Sequence, residues 1–260
     1  MLSKQGDFIT CYRRELAQIP CVFIEPKFTD KNLPTVFIFH GWSSKKENYN
    51  FMGKIIAAHG FNVLIPDAMK HGDRGELKYN DLQIMEQYFW QVVLNSLNEF
   101  EPILTELKAT FNIDPDNISV MGSSMGGITA SGIFAMYQNI TSLIVMNGAC
   151  AWQDAENRIM NAHNIEPKYN NDTEDIQKYD PLINKESLYP RPILMQHGED
   201  DDSVPLETQR YFYSEIKNLY KDRPDSIKLT IHPNLNHHKT VAMLEEAVNW
   251  LQSHHGHLNY

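Results

Sequence analysis

Five residues in the middle of the chain, Gly122-Ser123-Ser124-Met125-Gly126, are of the types and spacing that can turn a serine into a nucleophile. They follow the apolar run Ile118-Ser119-Val120-Met121 and precede a helical stretch. That is the strand–turn–helix context in which a G-x-S-x-G pattern has physical meaning. A sharp turn of this kind strains the backbone of its central serine and exposes the hydroxyl. Side chains two positions to either side would clash, so glycine stands at 122 and 126, and Gly127 extends the small-residue zone. The frame selects Ser124, because Met121 and Met125 would flank Ser123. A serine hydroxyl is a weak nucleophile at its own pKa, so it needs a base, and the base needs an orienting acid. In the chain order Ser, acid, His, the acid falls in His197-Gly198-Glu199-Asp200-Asp201-Asp202-Ser203-Val204-Pro205, where one of four adjacent acids serves and the others are solvated loop. The base falls in His232-Pro233-Asn234-Leu235-Asn236-His237-His238. His237 and His238 are its candidates, and His232 lies too near a strand end. The oxyanion formed by attack on a carbonyl needs two preorganised N–H donors. Met125, next after the nucleophile, supplies one, and Trp42 of His40-Gly41-Trp42-Ser43-Ser44 the other. His40 reads as structural.

These residues need elements that carry them to one edge. Residues 8–24 hold two strand-like pieces that form an antiparallel hairpin. Thr35–Phe39, Phe61–Ile65, Asn117–Met121, Leu143–Met146 and Pro192–Gln196 are short, β-branched or aromatic runs that read as buried strands. Helical stretches lie between them. Residues 47–59 end at Gly60, and residues 80–110 place Leu82, Met85, Phe89, Val93, Leu97 and Phe100 at spacings of three and four. A helix from the glycine-rich turn to about Tyr137, a helix at 205–220, a strand at 226–231 and a helix at 239–253 complete the series. Strands alternating with helices predict a mostly parallel sheet with helices on both faces. No internal repeat is visible. The interval 148–191, with Trp152, Asp154, Glu156, Tyr169 and Tyr179, is too long for one crossover helix. It is expected to be an insertion lying over the carboxyl end of the sheet as a small cap on a single domain spanning 1–260.

Composition narrows the function classes. The chain has 260 residues and carries 23 basic against 33 acidic ones, a net charge of −10. A nucleic-acid binder needs basic patches to neutralise phosphates, so that class is disfavoured. Three cysteines, Cys11, Cys21 and Cys150, give neither a disulfide framework nor a zinc-finger spacing. The stretch MLSKQGDFIT lacks an apolar signal region, and the apolar runs are too short to cross a bilayer. A cytoplasmic protein with no membrane partner is expected. His254, His255 and His257 are expected to form a solvated tail, and no metal or organic cofactor is called for. A homodimer is compatible with the sequence.

At this point the chain resembles the α/β-hydrolase superfamily, and more narrowly the bacterial carboxylesterases of its prolyl-oligopeptidase-like and dienelactone-hydrolase-related branch. The resemblance runs from about Thr35 to Leu251. It is carried by HGWSSKKENY at 40–49, GFNVLIPDAMKHGDR at 60–74, GSSMGG at 122–127, HGEDDDSVP at 197–205 and NHHKT at 236–240. It implies an α/β-hydrolase fold and places the triad acid at Asp201, from the pattern H-G-x-x-D-x-x-V-P. It implies His237 as the base, three residues before the threonine (Thr240) that opens the last helix. It also implies that His71-Gly72-Asp73-Arg74 is a structural loop beside the site. Two departures stand out. Asn236 replaces a glycine common before the base, a position where asparagine tolerates a left-handed backbone. Ser124 replaces the cysteine of dienelactone hydrolases proper. The expected activity is hydrolysis of short- to medium-chain carboxylic esters through an acyl-enzyme on Ser124. A thioesterase or small peptidase using the same triad is the enzymatic alternative, and a catalytically silent binding protein the alternative of another class.

Overall fold

The computed structural model describes residues 8–27, 32–162 and 172–255. His257 and Tyr169 therefore lie outside the described residues. Eight strands form one sheet: β1 (Ile9–Leu16), β2 (Ile19–Pro26), β3 (Leu33–Phe39), β4 (Asn62–Pro66), β5 (Ile113–Ser123), β6 (Ile140–Met146), β7 (Ile193–Gly198) and β8 (Ile227–His232). Their order is β1-β2-β4-β3-β5-β6-β7-β8. The β1–β2 hairpin and the β2–β4 pair are antiparallel, and β4 through β8 are parallel. This is the α/β-hydrolase fold, as the alternation of short apolar runs with longer amphipathic ones predicts.

The inner strands β3, β4, β6 and β7 are apolar on both faces because helices cover both. Phe37 and Phe39 of β3, Leu64 of β4, Val120 of β5, Val145 of β6 and Met195 of β7 face one core. That core is closed by α2 (Leu82–Thr110), α3 (Met125–Met136) and α6 (Leu206–Ile216). The alternate residues Val36, Ile38, Val63, Ile65, Met121, Ile144 and Leu194 face a second core. It is closed by α1 (Asn50–Ala58) and α7 (Val241–His254). The period of two along each strand thus sends successive side chains to opposite layers. Asp81 caps α2 by accepting from the Gln83 and Ile84 amides at 2.9 and 3.4 Å.

Helix α3 carries the nucleophile turn and is buried from Met125 through Ala135. It shows no polar face because the sheet lies on one side and α2 on the other. In the interval 148–191, α4 (Trp152–Ala162) and α5 (Asp172–Tyr179) occupy the described part. Trp152, Ala155, Ile176 and Leu188 are buried in the first core. Trp152 packs against α3, where a Cβ on Gly132 would stand 2.4 Å from its ring. The Trp152 indole also donates to Ser131 Oγ at 3.0 Å. None of the described helices is long and apolar enough to cross a membrane.

One sequence expectation is corrected. His254 is the last residue of α7, its Nδ1 2.9 Å from the Trp250 carbonyl. His255 folds back onto the sheet, its Nε2 2.5 Å from Ser119 Oγ and its ring edge-on to Phe61. They are packed because α7 ends over the second core, where an imidazole can fill apolar space and still reach a hydroxyl. Burial lowers the His255 pKa from 6.5 to about 4. Between those values the unfolded chain binds a proton that the folded chain does not. The contribution is complete above about pH 6.5 and is lost as pH falls through about 4. The wild-type Tm is expected to fall between about pH 7 and about pH 4.5, and His255→Gln to flatten that fall. Parallel slopes for the two proteins would contradict a buried neutral imidazole at this position.

Candidate active site

The elbow is built as the glycine spacing requires. Ser124 has φ 58° and ψ −127°, a conformation that side-chain-bearing residues rarely adopt. Its N–H donates to the Met146 carbonyl at 2.9 Å, and its own carbonyl accepts from Gly127 and Ile128 at 2.8 and 3.1 Å. A Cβ on Gly122 would lie 2.1 Å from the Gly126 oxygen, and one on Gly126 would lie 2.0 Å from the Phe39 oxygen. The turn is therefore wedged between the end of β3 and its own helix, which holds the Ser124 side chain outward. Met125 opens α3, so its N–H is one of the amides a helix leaves without an internal partner.

The strap after β3 lies against this turn. A Cβ on Gly41 would be 3.4 Å from Ser124 Cβ. The Gly41 amide donates to the Tyr49 hydroxyl at 3.1 Å, and Ser43 turns the chain with φ 61°. The Trp42 indole donates to the Tyr79 carbonyl at 3.0 Å and packs edge-on against the His71 and Tyr79 rings. His40 is buried beneath the strap. Its Nε2 accepts the Ala68 amide at 3.0 Å, so its Nδ1 carries the proton and donates to the Gly41 carbonyl at 2.9 Å. Burial lowers its pKa to about 4 and keeps it neutral, as the acceptor role demands. His40 is structural, as expected.

Below the strap lies an ionic network that the sequence did not single out. Lys46 is 1% exposed, and its ammonium donates to Asp67 at 2.6 Å and Asp73 at 2.7 Å. Asp67 also accepts the backbone amides of Lys46 and Asp73, each at 2.9 Å. Arg74 donates to the Asp67 carbonyl and grips Glu99 with both terminal nitrogens. Burial opposes the Lys46 charge, but the hydrogen bonds to Asp67 and Asp73 outweigh it and raise its pKa. The network ties the strap to the loop His71–Arg74, whose role is thus structural.

The expected acid and base, Asp201 and His237, come together at the carboxyl ends of β7 and β8. His237 Nδ1 is 2.9 and 2.8 Å from the two Asp201 oxygens. The Asp201 side chain is fully buried, that of His237 24% exposed. Asp201 Oδ1 also accepts the Val204 and Ser203 amides at 2.8 and 3.0 Å. His197 Nε2 lies 2.8 Å from the Val204 carbonyl and 3.3 Å from Asp201 Oδ2. Burial alone would push the Asp201 carboxyl up. Hydrogen bonds from His197, His237 and the Val204 amide outweigh it and hold the carboxyl well below the usual carboxylate range. This pair directs the His237 Nδ1 proton to Asp201 and leaves Nε2 as the nitrogen with an open lone pair.

Ser124 stands on the loop after β5, at the same edge of the sheet with β6 between, but its hydroxyl makes no hydrogen bond to His237 among the described residues. Such bonds are commonly long in empty sites and tighten on a substrate. Asn236, noted in the sequence only for its backbone, has a different part. Its Oδ1 accepts the Asp202 and His237 amides at 3.2 and 2.6 Å, and its Nδ2 donates to Asp202 at 2.9 Å. It clips the base loop to the acid loop. The left-handed residue here is Asn234, with φ 54°. Thr240 caps α7 by accepting the Met243 amide at 3.2 Å.

The model of the prolyl oligopeptidase family matches residues 47–258, most of the chain and all three of the loops after β5, β7 and β8. The chain belongs to the prolyl oligopeptidase family. As a member it is a serine hydrolase. Esterase YjfP of Escherichia coli is 27% identical over 247 residues, covering 93% of this chain and 97% of its own. Two solved structures share the fold. TT1662 from Thermus thermophilus has a TM-score of 0.77 at 17% identity, over 94% of this chain and 97% of its own. A cold-adapted esterase from an Arctic intertidal metagenomic library has a TM-score of 0.68 at 15% identity, over 97% of each chain.

Proposed function

We propose that this prolyl oligopeptidase family member is a carboxylesterase for short- to medium-chain esters, working through Ser124, His237 and Asp201. The observation that carries the reading is the doubly contacted His237–Asp201 pair, set at the same carboxyl edge of the sheet as a serine held at φ 58°. The esterase name of the Escherichia coli relative supports the choice of ester over peptide.

In this mechanism Ser124 Oγ attacks the ester carbonyl while His237 Nε2 takes its proton. Asp201 steadies the imidazolium through Nδ1–H. The amides of Trp42 and Met125 bind the oxyanion, and the positive end of α3 adds to the second. Collapse expels the alcohol, which His237 protonates, leaving the acyl group on Ser124. His237 then draws a proton from water, which attacks the acyl-enzyme, and collapse breaks the acyl–Oγ bond, frees the acid and returns the proton from His237 to Ser124 Oγ. No residue in this sequence of steps requires a metal or an organic cofactor.

Chain length follows from how the insertion spends its apolar side chains. An aromatic row runs from Trp42 through Phe89 to Trp90, with ring centroids 5.6 to 5.9 Å apart, and supports an apolar acyl group. Trp152, Ala155, Ile176 and Leu188 are already used in the core, which leaves a small cap little apolar area for a long chain. Rates on p-nitrophenyl acetate, butyrate and palmitate test this. Palmitate is expected to be slower than butyrate by more than about tenfold, since each methylene that finds no apolar surface forfeits binding energy. A palmitate optimum would overturn the chain-length reading, and faster turnover of aminoacyl p-nitroanilides than of any ester would overturn the esterase reading.

A further inference from the structure

We infer that Asn147 is a positioning residue for the triad, its carboxamide holding the base loop and the start of the acid loop at a fixed distance from the nucleophile turn. The inference rests on the Ser124–His237–Asp201 reading above.

Asn147 directly follows β6, the strand between the nucleophile strand and the acid strand. It is 1% exposed, and both ends of its side chain are used. Nδ2 donates to the His238 carbonyl at 2.9 Å, one residue past the base. Oδ1 accepts the Gly198 amide at 3.0 Å, at the end of β7 where the acid loop begins. Its backbone N–H donates to the Gln196 carbonyl at 2.9 Å. The residue before it, Met146, accepts the Ser124 amide at 2.9 Å. One dipeptide therefore touches all three loops.

The contacts limit motion in both directions. The base loop already rests on the end of β7, since a Cβ on Gly198 would lie 2.4 Å from the Leu235 oxygen and 2.7 Å from the Asn236 oxygen. Approach is blocked by that contact, and separation is opposed by the Asn147 bridge. Asn236 joins base to acid, and Asn147 joins both to the nucleophile side of the sheet. Proton transfer from serine to imidazole depends on that spacing, because the two groups must come within hydrogen-bond reach when substrate is bound. The backbone at Asn147 is left-handed, with φ 47°. Glycine would satisfy that turn as well, so the turn alone does not call for a carboxamide.

That last point supplies the test. Asn147→Gly keeps the turn and removes both side-chain bonds. With p-nitrophenyl butyrate, kcat is expected to fall roughly 10- to 100-fold with KM within about twofold, the mark of lost alignment and not lost binding. The rate of labelling by a fluorophosphonate should fall in step. The far-downfield proton resonance of His237 Nδ1–H, sheltered by Asp201, should broaden through solvent exchange. Asn147→Asp is the second variant, isosteric and suited to the same turn. It keeps an acceptor for Gly198 but sets a carboxylate oxygen against the His238 carbonyl, so kcat should fall at least as far. A folded Asn147→Gly with wild-type kcat, or one that loses only Tm, overturns the inference. Ser124→Ala in the same assay separates the two readings. If Ser124→Ala is dead while Asn147→Gly runs at the wild-type rate, only the positioning role fails. If Ser124→Ala turns over like wild type, the nucleophile assignment fails and the positioning role with it.

Discussion

Ser124→Ala is expected to hydrolyse p-nitrophenyl butyrate at least about 10⁴-fold more slowly than wild type and to lose all fluorophosphonate labelling. The alanine removes the only atom that can carry the acyl group, while the Trp42 and Met125 amides stay in place. Residual rate would then be that of water attacking an ester bound in the oxyanion site. The substitution should leave the fold intact. The strain at φ 58° and ψ −127° arises from the backbone and Cβ, which alanine retains, and among the described residues the serine hydroxyl has no hydrogen-bond partner to lose. A Tm within a few degrees of wild type, measured on the same preparation, makes the loss a chemical one. Hydrolysis near the wild-type rate by a folded Ser124→Ala would send the search for the nucleophile elsewhere.

Gly126→Ala is expected to cost the fold as well as the activity. The added methyl would stand 2.0 Å from the Phe39 oxygen and 2.6 Å from the His40 oxygen. Both are backbone atoms at the end of a central strand, so no side chain can swing aside. Either β3 and its strap retreat from the elbow or α3 shifts. Overpacking of this kind costs about 3 kcal/mol or more, roughly 10 °C in Tm for a chain of this size. Any molecules that stay folded should be nearly inactive, because the strap that carries Trp42 moves with β3. A calorimetric scan beside the esterase assay reads both effects. Wild-type Tm and rate together would mean that the close approach is not a constraint on the turn.

Much of this was legible before any coordinates. The inner strands announce themselves because they are apolar on both faces, and a run such as Val36–Phe39 has no other stable home. The elbow is legible because steric exclusion acts at fixed offsets from one serine. The choice of Asp201 among four acids was not a matter of local physics. It required either the family pattern or the loop itself, where Asp201 turns inward onto the Val204 amide while Asp202 reaches Asn236. Lys46, Asn147 and Asn236 escaped for a common reason. Each acts across the fold, on partners 21, 91 and 34 positions away in the chain, and no periodicity records such a reach. His255 was misread because a histidine near a chain end carries no sequence mark of burial.

The seating of Trp152 on Gly132 bears on how this segment could change hands between enzymes. The indole occupies the space that a side chain at 132 would fill, so segment 148–191 is keyed to the helix beneath it. A chimaera that transplants the segment into a relative with alanine or serine at the matching helix position would bring a tryptophan with nowhere to sit. Recombination, natural or engineered, should therefore succeed in blocks that carry α3 and the insertion together. A designer wanting a new acyl preference would do better to vary residues on the exposed side of α4 and leave Trp152 in place.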